Sequence, residues 1–247
     1  MAPTARELAR ATVRAGILAA ARARLTVEGP SQLSLRAVAR DVGLVSSAVY
    51  RYFPSRDDLL TALLIADYDE LGAAVQAADA AAGPDVGARW VAVCRAIRTW
   101  STEHPGDFAL LFGSPVPGYV APRETVEPAS RTTLTLVRVV ADATAARADT
   151  AGPAGPTRRH GSPTAPTAAP GAVGPSVADG VRSLQEFGLD LPEEVLVRAL
   201  MAWTTVFGTI SFELFGHSVG SVSDGAAYFD QVVARLADDL GFAATFD

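Results

Sequence analysis

Two groups of residues have types and spacings that could carry chemistry. The first is Gly216-His217-Ser218-Val219-Gly220, which fits Gly-x-Ser-x-Gly, the sharp turn that exposes a serine nucleophile in one large class of hydrolases. Such a serine needs a strand before it, a helix after it, and an acid followed by a histidine later in the chain. No histidine follows Ser218, since His104 and His160 both precede it. An apolar, helix-like run lies upstream, so the motif reads as a turn at a helix end, and serine hydrolysis is the disfavoured alternative. The second group is Ser46, Ser47, Tyr50 and Arg51, preceded by Ser34 and Arg36. Hydroxyls and guanidinium groups on short helices can meet base edges and phosphates in the DNA major groove. A solvated helical hairpin would carry the same residue types, so the surrounding elements must decide.

Composition narrows the choice. The chain has 247 residues, 21 basic against 27 acidic, for a net charge of −6, and every basic residue is Arg. A uniformly basic nucleic-acid coat is excluded. The charge is uneven, however: residues 1–60 hold nine Arg and five acids, whereas the remainder holds twelve Arg and twenty-two acids. This is the pattern of a small anion-seeking head on an acidic body. The hydrophobic share of 49%, much of it Ala, favours helix. A single cysteine, Cys94, and three scattered histidines offer neither a disulfide nor a zinc cluster, and no metal or cofactor is expected. The longest uncharged apolar run, 199–212, is 14 residues, short of the ~18 of a membrane span, and reads as a buried helix. The Arg-interrupted N-terminus does not read as a signal peptide, and a reducing, cytoplasmic location is expected.

Apolar periodicity predicts a helix over 5–28, with Leu8, Ile17, Leu18, Ala21 and Leu25 at helical spacings and a stop at Gly29-Pro30. Ser34 is placed to cap a short helix ending near Val42, where Gly43 can take a left-handed turn. A second short helix is expected over 45–52. Phe53-Pro54 breaks it, and Ser55-Arg56-Asp57-Asp58 reads as a capping box for a long helix with Leu60, Leu64, Leu71 and Val75 on its stripe. Two short helices about a glycine, braced by longer ones, describe a helix-turn-helix whose second helix enters the major groove. Val38, Val42 and Val49 would share its core, and Ala39 is small enough to let the helices cross.

The string Ser34-Leu35-Arg36-Ala37-Val38-Ala39, then Gly43, then Ala48-Val49-Tyr50-Arg51-Tyr52-Phe53-Pro54-Ser55-Arg56-Asp57-Asp58-Leu59-Leu60 resembles the signature of the TetR family of bacterial transcriptional regulators. The resemblance implies an all-α protein: an N-terminal helix-turn-helix over 1–58 and a helical effector-binding and dimerisation domain over 59–247. It implies a homodimer on palindromic double-stranded operator DNA, released by a small-molecule effector. Arg36 then stands where a base is read, Ser46 and Ser47 at the groove-facing start of the recognition helix, and Tyr50 and Arg56 where phosphates are held. Val45 occupies the usual N-capping Ser position. A TetR-like ligand-binding protein without DNA binding is the alternative.

The remainder reads as helical: 85–103, 107–112, 122–146, 192–216 and 223–240. Residues 149–176 are rich in Gly, Pro, Ala and Thr, lack large apolar side chains, and are expected to form a disordered loop. An effector pocket inferred from the family would draw on Trp90, Ile97, Trp100, Phe108, Leu111, Phe112 and Tyr119, whose character suits a hydrophobic ligand. Trp203, Phe207 and Gly208 stand where a subgroup of the family carries Trp-His-Gly, so any role of that histidine is absent. A dimer seam is expected from Leu200, Thr204, Phe207, Gly208, Ser211, Phe212 and Phe215 with Phe229, Val232, Val233 and Leu236.

Overall fold

The computed structural model describes residues 4–151, 178–189 and 191–246. Every regular element among them is helical: α1 (Ala5–Glu28), a 3₁₀ turn (Pro30–Gln32), α2 (Leu35–Asp41), α3 (Ser46–Val49), α4 (Arg56–Ala81), α5 (Val86–Glu103), α6 (Pro105–Phe112), a second 3₁₀ turn (Arg123–Thr125), α7 (Val126–Ala151), α8 (Ala178–Glu186), α9 (Glu193–Leu214) and α10 (Gly225–Leu240). The all-α expectation holds. Three of the boundaries that differ from the sequence reading have a local physical reason or bear on the expected loop. Helical bonding in α3 gives way after Val49 to i→i−3 bonds from Arg51 and Tyr52, a tighter winding that delivers Phe53 to the core. α6 starts at Pro105 rather than Asp107, because proline's fixed φ and missing N–H suit a first helical position. α7 runs on to Ala151, so the first residues of the expected loop are helical, and 152–176 lie outside the described residues.

The chain divides into two compact units. The first comprises 1–77, 96–132 and 210–219. Its core gathers Ile17, Ala21 and Leu25 of α1, Val38 and Ala39 of α2, Val49 of α3, Phe53, and Leu59, Leu60 and Leu63 of α4. Val42 packs against this cluster from its margin, and Leu8, expected on the α1 stripe, is exposed. Gly43 takes φ 68° between α2 and α3, a left-handed turn at which a β-carbon would be strained. Arg24 of α1 then ties α1 to the end of α2 through Asp41, with Nε–Oδ2 at 2.5 Å and Nη2–Oδ1 at 3.0 Å.

α1 also meets α6 at close range. Gly106 lies against Thr26, and a β-carbon there would stand 2.5 Å from the Thr26 backbone nitrogen. Beside this contact, Arg22 reaches Asp67 of α4 (Nε–Oδ1 2.8 Å) and Glu70 (2.8 Å). Asp67 is fully buried. Burial first, then the charge of Asp107, push its carboxyl up to about 7 despite Arg22. Burial also raises Asp107, against the pull of Arg22 and His104.

The second unit comprises 78–95, 133–209 and 220–247. Trp90 is its buried anchor: the indole Nε1 donates to the Val233 carbonyl at 3.0 Å and the ring meets Phe242 edge-on. Arg89 bridges Asp79 and Asp142, both at 2.7 Å. Arg198 of α9 donates to the Asp239 carbonyl at the end of α10 (2.9 Å).

Gly106→Ala should cost about 1–3 kcal/mol, since the new methyl meets backbone rather than a movable side chain; a urea melt indistinguishable from wild type would contradict the close contact. Asp67 makes a pH prediction with an unusual sign for an acid. Its folded pKa lies above the ordinary value of 3.8, so its contribution to stability is complete below the unfolded pKa and is lost as pH rises toward about 7. Urea midpoints of Asp67→Asn should therefore depend less on pH across this window than those of wild type, and parallel profiles would refute the assignment.

Candidate nucleic-acid interface

The nine arginines of residues 1–60 sort into two sets once their partners are known. Arg22 and Arg24 are held in ion pairs within the unit. Arg56 was expected at a phosphate, but its half-buried side chain donates instead to three backbone carbonyls: Nε to Leu33 at 2.9 Å, and one Nη to Pro30 and Ser31, each at 3.0 Å. It closes the 3₁₀ turn before α2 onto the start of α4. Arg6, Arg10, Arg14, Arg36, Arg40 and Arg51 are exposed and make no salt bridge among the described residues. Six exposed cations on one small unit are the kind of charge that releases counterions on meeting phosphate.

The predicted site residues are only partly brought together. Ser34, Arg36, Tyr50 and Arg56 line one surface hollow of about 550 Å³, with Pro54 at its edge. Ser46, Ser47 and Arg51 are not among its lining residues; Ser47 and Arg51 are exposed on α3 and the turn after it, and Ser46 is half-buried. Ser34 stands at the N-cap of α2, yet its side chain makes no capping bond. Val45 is the N-cap residue of α3, extended at φ −68° and ψ 144°, with no side-chain cap; Ser46 does not take over that role. The box before α4 is real but altered: Ser55 Oγ accepts from the Asp58 amide at 3.1 Å and donates to the Asp58 carboxylate at 2.7 Å.

Two residues were missed by sequence reasoning. The Arg14 guanidinium lies 5.2 Å from the centre of the Phe53 ring, and that of Arg10 6.0 Å from Tyr52, which sets the charges of α1 beside the end of α3. Their spacing of four on one helix was visible, but which rings they faced was not.

The residues of the expected effector pocket fall in both units. Trp90 belongs to the second unit, whereas Ile97, Trp100, Phe108, Leu111, Phe112 and Tyr119 belong to the first. Phe108 is fully buried against Phe112 at 5.2 Å, Tyr68 meets Phe112 edge-on at 6.2 Å, and the Tyr119 hydroxyl bonds Thr61 at 2.9 Å. Ile97 is also core, and Trp100 is buried over His104.

Comparison with known proteins decides the family. Residues 17–63 match "Bacterial regulatory proteins, tetR family" and residues 90–236 match "Tetracyclin repressor-like, C-terminal domain". The HTH-type transcriptional regulators Rv1816 of Mycobacterium tuberculosis and Mb1846 of Mycobacterium bovis are each 38% identical to this chain over 242 residues, covering 93% of this chain and 94% of theirs. The chain belongs to the TetR family. The crystal structure of SCO4313 superposes with a TM-score of 0.71 at 30% identity, covering 95% of this chain and 100% of that one. A tetR-family regulatory protein from Rhodococcus RHA1, at 16% identity and TM-score 0.60 over 93% and 97% of the two chains, shares the fold.

The hydrolase alternative lacks its geometry. Ser218 follows α9 in a turn rather than a strand, and no residue other than glycine has positive φ among the described residues, so the strained nucleophile bend is not formed. His217 instead packs on Phe212, with ring centres 5.2 Å apart.

The two kinds of contact separate experimentally. Arg56→Ala in this TetR-family regulator should lower folding stability by about 1–3 kcal/mol, because it orphans carbonyls and removes a charged donor. Tyr50→Ala, at an exposed position, should leave the melting temperature almost unchanged while weakening DNA binding. Thermal melts paired with gel shifts test this; equal stability of the two variants would return Arg56 to the surface.

Proposed function

We infer that the chain is a ligand-responsive repressor that binds a palindromic operator as a homodimer and is released by a small hydrophobic effector. The observation that carries this reading is the helix-turn-helix surface on which Ser34, Arg36 and Tyr50 share one hollow while six exposed arginines make no salt bridge among the described residues. In this reading residues 1–58 are the DNA-binding domain and 59–247 the effector and dimerisation domain. Arg36, Ser46 and Ser47 face base edges, and Tyr50, Arg51, Arg10 and Arg14 face phosphates, which carry no sequence information. Operator DNA places the protein in the cytoplasm.

The dimer seam draws on the exposed part of the expected set. Phe207, Phe229 and Val233 are buried within the subunit and are removed from it. Leu200, Thr204, Gly208 and Phe212 follow one another at spacings of four on α9, with Leu200 and Phe212 exposed, and nothing stands within 4 Å of a β-carbon at Gly208. Ser211, Phe215, Val232 and Leu236 remain on its margin. α9 is long and apolar enough to pass for a membrane span, yet only 33% of its apolar window is buried. The sequence expectation of a wholly buried helix is therefore corrected, and a protein partner explains the exposed stripe without a membrane. The effector, whose pocket would use Trp100, Leu111, Phe112 and Tyr119, favours a body geometry in which the two heads are misplaced for successive major grooves. It shifts that equilibrium only by its differential affinity for the two states, so DNA and effector oppose each other reciprocally.

Sedimentation and footprinting test the reading together. Wild type should sediment as a dimer and protect two symmetric half-sites in its upstream intergenic DNA, about one helical turn or somewhat more apart. Phe212→Asp should give monomers and abolish protection, because it places a bare charge in a dry seam. A dimeric Phe212→Asp that protects the same DNA would move the seam elsewhere, and absence of protection by wild type would favour a ligand-binding protein without an operator.

A further inference from the structure

The junction of α1, α4 and α6 gathers more carboxyl groups than its own cation can serve, and burial pushes the pKa of two of them, Asp67 and Asp107, upward. Asp67, Glu70 and Asp107 share one guanidinium, that of Arg22. Arg22 spends its hydrogen bonds on Asp67 and Glu70, and Asp107 Oδ2 is left 3.8 Å from Nε, beyond hydrogen-bond range. His104 approaches Asp107 at 3.7 Å and Glu70 at 3.6 Å, also without a hydrogen bond. The Asp107 side chain is only 6% exposed, and its Oδ1 is buried with no partner. A buried carboxyl oxygen without a donor costs free energy, and this one can accept a hydrogen bond from a bound donor.

A groove of about 560 Å³ opens at this point, lined by Asp107, Glu70, Glu103 and His104 and by Arg22, whose guanidinium is committed to Asp67 and Glu70. Leu18 and Ala19 of α1 and Ala66 of α4 contribute apolar lining. The lining therefore combines carboxyl acceptors with methylene-sized contacts. A multivalent metal ion is not the match, because no group of three acids, histidines or cysteines among the described residues is arranged to hold one. A compact head with several N–H donors on an aliphatic stem meets both halves.

We propose that this groove is a binding site for a primary alkylammonium ion, its –NH₃⁺ paired with Asp107 and Glu70 and its alkyl chain laid along Leu18, Ala19 and Ala66. The site is separate from the DNA-facing hollow and does not depend on the operator reading. Because α1 and α6 form two of its walls, occupancy ties the helix that carries the helix-turn-helix more firmly to α6.

Isothermal titration calorimetry on the full chain with n-butylamine near neutral pH tests the site directly. One saturable event per chain at millimolar concentration is expected, with no such event for n-butanol, which has the chain but not the charge, or for magnesium chloride, which has the charge but not the chain. Asp107→Asn should weaken binding about tenfold or more, the scale of one lost charge-assisted hydrogen bond. Ala19→Phe changes an exposed wall residue and keeps every acid; it should weaken binding comparably by filling the groove, and it keeps the test decisive if the buried variant fails to fold. Absence of saturable heat with n-butylamine, an equal response to magnesium, or unchanged affinity in Ala19→Phe would overturn the proposal.

Discussion

The buried contact of Arg22 with the acids of α4 and α6 is the constraint on which the first unit depends. α1 has apolar contacts enough to collapse onto a core through Ile17, Ala21 and Leu25, but apolar burial has no direction and does not by itself fix the rotation or sliding of a long helix. An ion pair with a fully buried partner does, because a small displacement leaves Asp67 desolvated and unpaired. The Gly106–Thr26 approach sets the spacing at the same end. Orientation and distance of α1 are thereby specified by two contacts of different physics, one polar and one steric.

From this fixed helix the helix-turn-helix is presented by short-range means. Arg24 reaches over to Asp41 and holds the end of α2, and the left-handed turn at Gly43 reverses the chain into α3. Arg56 fastens the 3₁₀ turn to the start of α4 from the other side. α3 is too short to be stable alone; its place is secured by Val49 and Phe53 entering the shared core. A recognition element built this way owes its geometry to its neighbours, and the arginines that support it are distinct from the six that stay exposed.

The same division recurs along α9, where side chains that look alike in sequence have opposite fates. Phe207 is buried and Phe212 is 58% exposed, although both are aromatic residues on one helix. Five residues apart, they point about 140° away from each other around the helix; spacing separates their faces, but only the packing decides which face meets the rest of the chain. Trp90 is a comparable case: as a sequence feature it suits a ligand wall, but its N–H is committed to the Val233 carbonyl far along the chain.

The sequence by itself determined the helical class, the existence of α1 and α4, the turn at Gly43 and the core positions Val38 and Val49. These follow from apolar periodicity and from glycine's access to positive φ, which are local properties. It also carried the family resemblance, because a run of small, aromatic and charged positions is itself a local pattern. α8 was not read out, since its few apolar residues at helical spacing lie beside a Gly/Pro-rich stretch with no long stripe to mark it. Only the tertiary structure decided which arginines are spent internally, which aromatic residues are core, and where negative charge goes unpaired. Those outcomes turn on partners tens of residues away: Arg22 with Asp67, Arg24 with Asp41, Arg56 with Pro30 and Leu33. A charge's fate is a matter of what it meets in space, and sequence spacing carries that information only within a turn or two of the same helix.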